Sequence, residues 1–380
     1  MRDMNGTTIY QVRPAQLCDV PEVMAMYDHS RQLMRAMGNT TQWVGYPTQA
    51  QLECDMAADA AMIVEANGRP AGTFALVDGE EPTYAKIVHG RWIDDRHPYA
   101  TIHRVACTGE VRGVTRAAYA YAKRRYPYLR FDTHESNPVM RHVADREGFV
   151  YSGVVFMNDG TERLAYEWWR WDEVDVRLRG YIEGAVLPCY DAFDAAHGRD
   201  HALRVTARCM MLCEGMGIAP NVAYAAAMMH DVGLRAGREC HHIEGGRMVR
   251  SDTRLREWLD AEQIETVAQA VEDHRASAAC APRSPLGCLL AEADRDVEPE
   301  RIVRRTVEYG LAHYPSLGRE EQWQRALQHL NEKYAEGGYL HLWLENSPNL
   351  APLNELRHLI ADEERLRTLF DRYYDEKNDC

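Results

Sequence analysis

Cysteine pairing, long apolar runs and surplus positive charge are all missing from this chain, and each absence narrows what it does. The ten cysteines are scattered with no Cys-x-x-Cys pair. Cys209 and Cys213, four apart on an apolar helical face, read as reduced core residues, so no disulfide framework is expected. No apolar run approaches the ~18 residues that a membrane span needs, and the opening MRDMNGTTIYQVRP lacks the apolar core of a signal peptide. The chain therefore reads as cytoplasmic, with no membrane partner. Lys and Arg number 44 against 58 Asp and Glu, a net charge of −14. With a pI near 5.6, nucleic-acid phosphates would be repelled, and no nucleic-acid partner is expected. Internal repeats and low-complexity segments are also missing. What is present is a 380-residue chain, 46% hydrophobic, too long for one ordinary core and expected to form two domains.

The most informative stretch is Met228-Met229-His230-Asp231-Val232-Gly233, where two metal-seeking side chains stand side by side at the end of an apolar helical pattern. Neighbours on a helix point about 100° apart, so both can face one cation only where the helix ends. Further ligands must come from other helices. His201 opens the preceding one, His242 opens the following one, His274 closes the next and Asp294 sits on the one after. Imidazoles completed by carboxylates suit Mn, Fe, Ni, Zn or Mg, as one ion or two, and a water bound there becomes a nucleophile near neutral pH.

The order His201, His230-Asp231, Asp294, with His201-x-x-Arg204-Val205 at one end and Ala293-Asp294-Arg295 at the other, resembles the HD superfamily of metal-dependent phosphohydrolases over roughly residues 180 to 345. The resemblance implies metal ligands at His201, His230, Asp231 and Asp294, with His242 and His274 on a second metal or a phosphate. Asp231, Arg204 and His274 are the catalytic candidates, Arg204 lying near the substrate phosphate. Substrates would be small phosphorylated metabolites or nucleotides. Many members carry a lysine in His-Asp-x-Gly-Lys, whereas this chain has Leu234, so a cation must come from elsewhere; Arg235 and Arg238 are at hand. His197 and His241 each stand close to a predicted ligand, and a shifted assignment stays open.

The first half has a different rhythm. Residues 8 to 13 read as a strand, and Asp19 with Glu22 as a capping box. The stripe Val23, Met26, Tyr27, Met34, Met37 marks a helix ending at Gly38. After a helix at 48 to 58, strands at 61 to 65 and 72 to 77 join through Asn67-Gly68, a hairpin signal. Then come a strand at 99 to 107, a loop with Gly109 and Gly113, helix 114 to 125, strand 129 to 134, helix 137 to 147, strand 149 to 157 and strand 163 to 171. This is a mixed α/β layer without a dinucleotide glycine fingerprint. The order resembles a GNAT-type N-acetyltransferase over about residues 8 to 170, through His103-Arg104-Val105-Ala106 and the segment from Asn137 and Met140 to Gly148-Phe149. The resemblance implies acetyl-CoA as cosubstrate, held at Val105, Arg112, Gly113, Thr115 and Asn137, with pyrophosphate at a helix N-terminus. Two departures stand out: the loop Glu110-Val111-Arg112-Gly113-Val114-Thr115 is short, and Ala144 occupies the position of the usual acidic tyrosine. Cys107, His134 and Tyr151 are the candidates to replace it.

The expected architecture is therefore an α/β GNAT-like acyltransferase domain over 1-172, followed by an all-α HD-type domain with a helical extension over 173-380. Trp168, Trp169 and Trp171 precede a charged hinge at 172 to 179. Helices are predicted at about 180 to 195, 201 to 216, 221 to 231, 242 to 251, 262 to 275, 285 to 294, 319 to 345 and 352 to 376. On the last, Leu353, Leu356, Leu359, Ile360, Leu366 and Leu369 form a stripe that packs onto its own domain or serves a homodimer. The expected function is a bifunctional enzyme acting on small molecules. Two alternatives remain open: a hydrolase regulated by a non-catalytic acyl-CoA-sensing domain, and a di-iron oxygenase.

Overall fold

The computed structural model describes residues 8–94, 97–194, 196–277 and 280–378. The chain divides into two compact units, Met1–Asp172 and Glu173–Cys380.

The first unit runs β1 (Tyr10–Pro14), α1 (Val20–Ala36), α2 (Gln49–Ala57), β2 (Ala61–Ala66), β3 (Arg69–Asp78), β4 (Ile87–Val88), β5 (Ala100–Cys107), α3 (Val114–Arg125), β6 (Tyr128–Thr133), α4 (Pro138–Arg146), β7 (Val150–Phe156) and β8 (Glu162–Trp169). The strands form one sheet in the order β1-β2-β3-β5-β6-β8-β7-β4. Strand side chains alternate between faces, so β2 sends Met62, Val64 and Ala66 into a core with Ala118, Tyr119 and Ala122 of α3. Its Ala61 and Ile63 join Val23, Met26 and Tyr27 of α1 instead. Asn67 and Gly68 both adopt positive φ, the conformation a two-residue hairpin turn requires.

Two local expectations fail here. Asp19 does not form a capping box with Glu22; its carboxylate accepts from the Gln16 N–H at 2.8 Å and from Arg13 at 2.6 and 2.8 Å. Arg13, only six residues earlier, outcompetes the local cap because a two-pronged ion pair is the stronger contact. The 3-10 turn Pro82–Tyr84 and the short β4 have no counterpart in the predicted elements, being too brief to show a period.

Unit two is helical: α5 (Val176–Tyr181), α6 (Arg199–Cys213), α7 (Pro220–Met229), α8 (His241–Ser251), α9 (Ala261–Asp273), α10 (Pro285–Ala293), α11 (Pro299–His313), α12 (Arg319–Tyr334), α13 (Leu350–Ala361) and α14 (Glu363–Asn378). The single helix predicted for 180 to 195 is instead the end of α5, a π turn over Ile182–Val186 and a 3-10 turn over Leu187–Ala192. Gly180, Gly184 and Pro188 weaken that segment's regular helix. Helix α11 was not among the predicted ones. Helix α12 stops at Tyr334, before Gly337 at φ 82°, and the helix expected at 352 to 376 breaks at Asp362, whose carboxylate caps α14 through the Arg365 N–H at 3.1 Å. Leu353, Leu356, Leu359, Ile360 and Leu366 are buried in a core with Trp323, Leu330 and Phe370, with Leu369 packed beside it; the stripe packs within its own unit. No helix among the described residues is long and apolar enough to cross a membrane.

Candidate functional site

Every predicted metal-seeking residue of the second unit stands at or near a helix end. His201 lies in the first turn of α6, His230 is the C-cap of α7, His274 that of α9 and Asp294 that of α10. Asp231 follows with φ −107° and ψ 5°, off the helical path, so it turns toward the same centre as His230. Tyr190 fixes this corner: its buried hydroxyl donates to the Met228 carbonyl at 3.0 Å and accepts from the Asp231 N–H at 3.2 Å. Gly233 lets α8 approach, since a Cβ there would sit 1.9 Å from the His241 carbonyl oxygen and 2.4 Å from the Gly245 nitrogen.

Two pockets of ligand atoms share Asp231. His230 Nε2 lies 3.2 Å and His201 Nε2 3.6 Å from Asp231 Oδ2, and the two imidazole nitrogens are 3.1 Å apart. Asp294 Oδ1 closes this group at 3.2 Å from His201 and 4.0 Å from His230. On the other side, His241 Nε2 and His274 Nε2 each lie 3.5 Å from Asp231 Oδ1 and 3.4 Å from one another.

The hydrogen bonds behind these rings decide what the centre asks for. His230, His241 and His274 each engage a backbone carbonyl three residues earlier through Nδ1, those of Ala227, Arg238 and Val271, at 2.7, 2.8 and 2.6 Å. A carbonyl only accepts, so Nδ1 carries the proton and a neutral ring turns the Nε2 lone pair inward. In the second pocket two such nitrogens face each other at hydrogen-bond distance, and in the first His230 faces the Nε2 of His201. Only a proton or a cation between them relieves the repulsion. Burial opposes charge on His230, but the adjacent Asp231 carboxylate outweighs it and lifts the ring to about 9. Burial likewise opposes the negative charge of Asp231 and Asp294, yet the surrounding imidazoles hold both below the usual carboxylate range. The residues thus fit a divalent cation, which either cluster would hold with an oxygen of Asp231, and carbonyls hydrogen-bonded to the far side of the ring are how metal-binding imidazoles are aimed.

His242 is not part of this arrangement. Its neighbour His241 takes the inward position of α8, and one helical step turns His242 away toward a separate cavity of about 360 Å³ beside Glu272, Asp273 and Arg275. Of the two neighbours, His241 and not His242 joins the cluster with Asp231 and His274. Arg204 lies one turn beyond His201 and pairs with Asp200, while its Nε is buried without a partner. His197 is held by Asp194 at 2.7 Å, outside the centre. Neither Arg235 nor Arg238 reaches a ligand: they meet Cys189 and Asp194. Tyr190 was missed, because its segment read as plain helix and a buried tyrosine carries no motif.

In the first unit the candidate site is a split in the sheet. Strands β5 and β6 run parallel but pair only at Ala100↔Leu129 and Thr101↔Arg130, although β5 continues to Cys107 and β6 to Thr133. Arg104 marks the divergence with φ 53°, opposite a register shift in β3. This conformation is costly for a non-glycine residue; the guanidinium secures it through Asp55 at 2.7 and 2.8 Å and Tyr46 Oη at 2.8 Å. Val105 follows on the splayed part of β5. Gly113, at φ 90°, starts α3 with no side-chain cap, leaving the first N–H groups near Thr115 open, and Tyr10 binds the Arg112 carbonyl beside it. Asn137 is occupied as the cap of α4, accepting from the Met140 N–H at 3.2 Å and donating to Gln42 at 3.2 Å. Ala144 is fully buried in the core. Of the substitutes considered for the missing tyrosine, His134 accepts from the Ser136 N–H at 3.1 Å, Tyr151 packs edge-on against Tyr166 and Cys107 is half-buried at the end of β5.

Residues 198–297 match the family model described as HD domain. No curated protein matches the chain. Among solved structures, a GNAT-family acetyltransferase from Streptococcus agalactiae is similar at 29% identity, covering 43% of this chain and 96% of that one with a TM-score of 0.40. A GNAT-family acetyltransferase from Listeria monocytogenes is 18% identical, with 43% and 100% covered and a TM-score of 0.34. A third, a putative acetyltransferase from Salmonella typhimurium with its cofactor acetyl-CoA, is 13% identical, with 44% and 96% covered and a TM-score of 0.30.

Proposed function

Given that this chain carries an HD domain at residues 198–297, joined to a GNAT-like α/β unit, we propose that it is a divalent-metal-dependent phosphohydrolase of small phosphorylated metabolites or nucleotides, fused to an acetyl-CoA-binding acetyltransferase. The observation that carries the hydrolase half is the convergence of four imidazole nitrogens on the two oxygens of Asp231, three of them turned inward by carbonyl hydrogen bonds.

His201, His230, Asp231 and Asp294 would hold one cation, and Asp231, His241 and His274 a second. A bound divalent cation supplies Lewis acidity, polarising a phosphoryl oxygen and acidifying a water molecule. The protein's own contribution is to fix the tautomers, exclude bulk water from a largely buried centre and offer Arg204 to the charge that develops on the phosphoryl group. In the first unit, the opened strands near Val105 offer backbone groups to an extended ligand. The uncapped start of α3 at Gly113 suits a pyrophosphate.

Two other readings each have a specific observation behind them. Burial of Ala144 in place of an acidic tyrosine favours an acyl-CoA sensor over a catalyst. A carboxylate shared between two cation pockets also suits paired iron and an oxygenase. Elemental analysis of chelator-free protein, followed by assays on a panel of phosphate esters and of amines with acetyl-CoA, separates the three. Two non-iron divalent ions with phosphate release support the hydrolase; metal-loaded protein inert toward every ester overturns it.

A further inference from the structure

The matched domain ends at residue 297, yet the metal centre is gripped from beyond that point. Helix α10 delivers Asp294 as its C-cap. Two residues earlier, Glu292 is fully buried among Leu289, Leu290, Ala291 and Ala293. A carboxylate there is costly unless protein donors replace its water. They come from the irregular segment 343–349 between α12 and α13. The Trp343 N–H donates to Glu292 Oε2 at 3.1 Å, and the Asn349 side-chain amide to Oε1 at 2.8 Å. The Ser347 hydroxyl donates to Oε1 as well, and its oxygen accepts the Asn349 N–H at 3.0 Å. Asn349 Nδ2 also reaches the Glu292 backbone carbonyl at 3.0 Å, one of the last four of α10 and so without a partner four residues on.

This clasp is joined to the ligands by short links. The same Glu292 carbonyl accepts the Arg295 N–H at 3.1 Å, closing the turn that holds Asp294. Past the turn, the buried Arg295 side chain donates from Nη1 to the His274 carbonyl at 3.0 Å, and Arg208 of α6 donates to the Arg295 carbonyl at 3.0 Å. Asp294 therefore sits in a turn whose start is gripped by segment 343–349 and whose end is tied to the C-cap of α9. Its Oδ1 meets His201 at 3.2 Å. Three donors on one buried carboxylate hold a single geometry, because losing one leaves a buried charge short of partners. Packing of α13 needs no such device, since Leu353, Leu356 and Leu359 already lie in an apolar core.

Resting on the metal-centre reading above, we propose that Ser347 and Asn349, acting through Glu292, are positioning residues for the ligand Asp294. Docking of segment 343–349 and cation binding in the pocket of His201, His230, Asp231 and Asp294 then strengthen one another. The helical extension is a working part of the hydrolase. Such coupling is reciprocal: the factor by which the clasp raises cation affinity is the factor by which the cation tightens the clasp.

The test uses the full-length chain with Mn²⁺ alone as probe. In the unmodified protein, hydrogen exchange of the peptide holding Trp343 and Asn349 should slow about tenfold on adding Mn²⁺ to chelator-treated protein, and recover on chelation. Ser347→Ala and Asn349→Ala should each weaken one Mn²⁺ equivalent about tenfold. In an Asp294→Ala background, neither should alter the Mn²⁺ binding that remains. General damage to the unit would instead lower affinity to the same degree with or without Asp294. Equal losses in the two backgrounds, unchanged affinity in both alanine variants, or exchange indifferent to Mn²⁺ overturns the proposal. If the unmodified chain binds Mn²⁺ while the segment stays indifferent, the clasp alone falls; if it binds no Mn²⁺, the metal centre falls and the clasp with it.

Discussion

The two candidate sites are built from opposite materials. In the helical unit, the centre consists of side chains, and three of its imidazoles are aimed by a backbone carbonyl three residues earlier. In the α/β unit, the site consists of backbone: two strands that part after two paired residues, a strained Arg104 and an uncapped helix start. Side-chain chemistry has a sequence signature because residue type is the function. Backbone geometry has almost none, since many sequences satisfy the same path.

The sharpest way to probe this contrast is to remove the shared ligand. Asp231→Ala should empty both cation pockets and lower phosphate-ester hydrolysis by more than about a hundredfold, measured by elemental analysis and turnover, while acetyl-CoA binding by the first unit is unchanged. If metal stays bound, the centre is not side-chain-built in the way described. A smaller effect is expected from His241→Ala, which should lose one of two metal equivalents and about ten- to hundredfold in activity; His242→Ala, turned into another cavity, should lose neither. The pair tests whether a one-residue difference in helical facing decides ligation.

Buried charge in the α/β unit responds to pH rather than to metal. Glu167 is fully buried; desolvation raises its pKa to about 7, against the opposing pull of Ser152, Tyr128, the Ile93 N–H and Arg130. The folded unit then binds the proton more tightly than the unfolded chain. The resulting stability is complete below about 4.5 and is lost as pH rises through 7, an effect on the order of 3 kcal/mol. Melting of this unit should fall between pH 5 and 8, and Glu167→Gln should flatten the dependence. A profile unchanged by that substitution would assign the pH response to another group. Least in size, Gly113→Ala should weaken acetyl-CoA binding and cost the first unit about 1 to 2 kcal/mol for its positive φ, read by thermal melting, with no change in metal content.

The same contrast explains what could be read in advance. His201, His230, Asp231, His274 and Asp294 were legible because their types and order carry the chemistry, and the helix end at His230 was legible because both neighbours had to turn inward. His241 was confused with His242 since nothing in a pair of adjacent histidines says which one faces the core; that depends on where α8 crosses Gly233. Helix α11 escaped although Ile302, Val303, Thr306 and Val307 share a buried face, its many arginines masking a narrow apolar stripe. The break at Asp362 was overlooked because the leucine spacing runs through it. In the first unit the strands and the Asn67-Gly68 turn were read from alternation and turn chemistry. The parting of β5 from β6 was not, as Arg104 is no marker of positive φ.

The carbonyl locks on His230, His241 and His274 have a further consequence. Each lock closes within four consecutive residues, so His230 and His274 carry their aim with the helices they end, while His241 takes its aim from Arg238 in the connector before α8. The other segments linking these helices have only to bring the ends together. Lengthening or exchanging those connectors would reshape what approaches the centre while the inner geometry survives, leaving such a scaffold free to acquire new substrates by altering its loops alone.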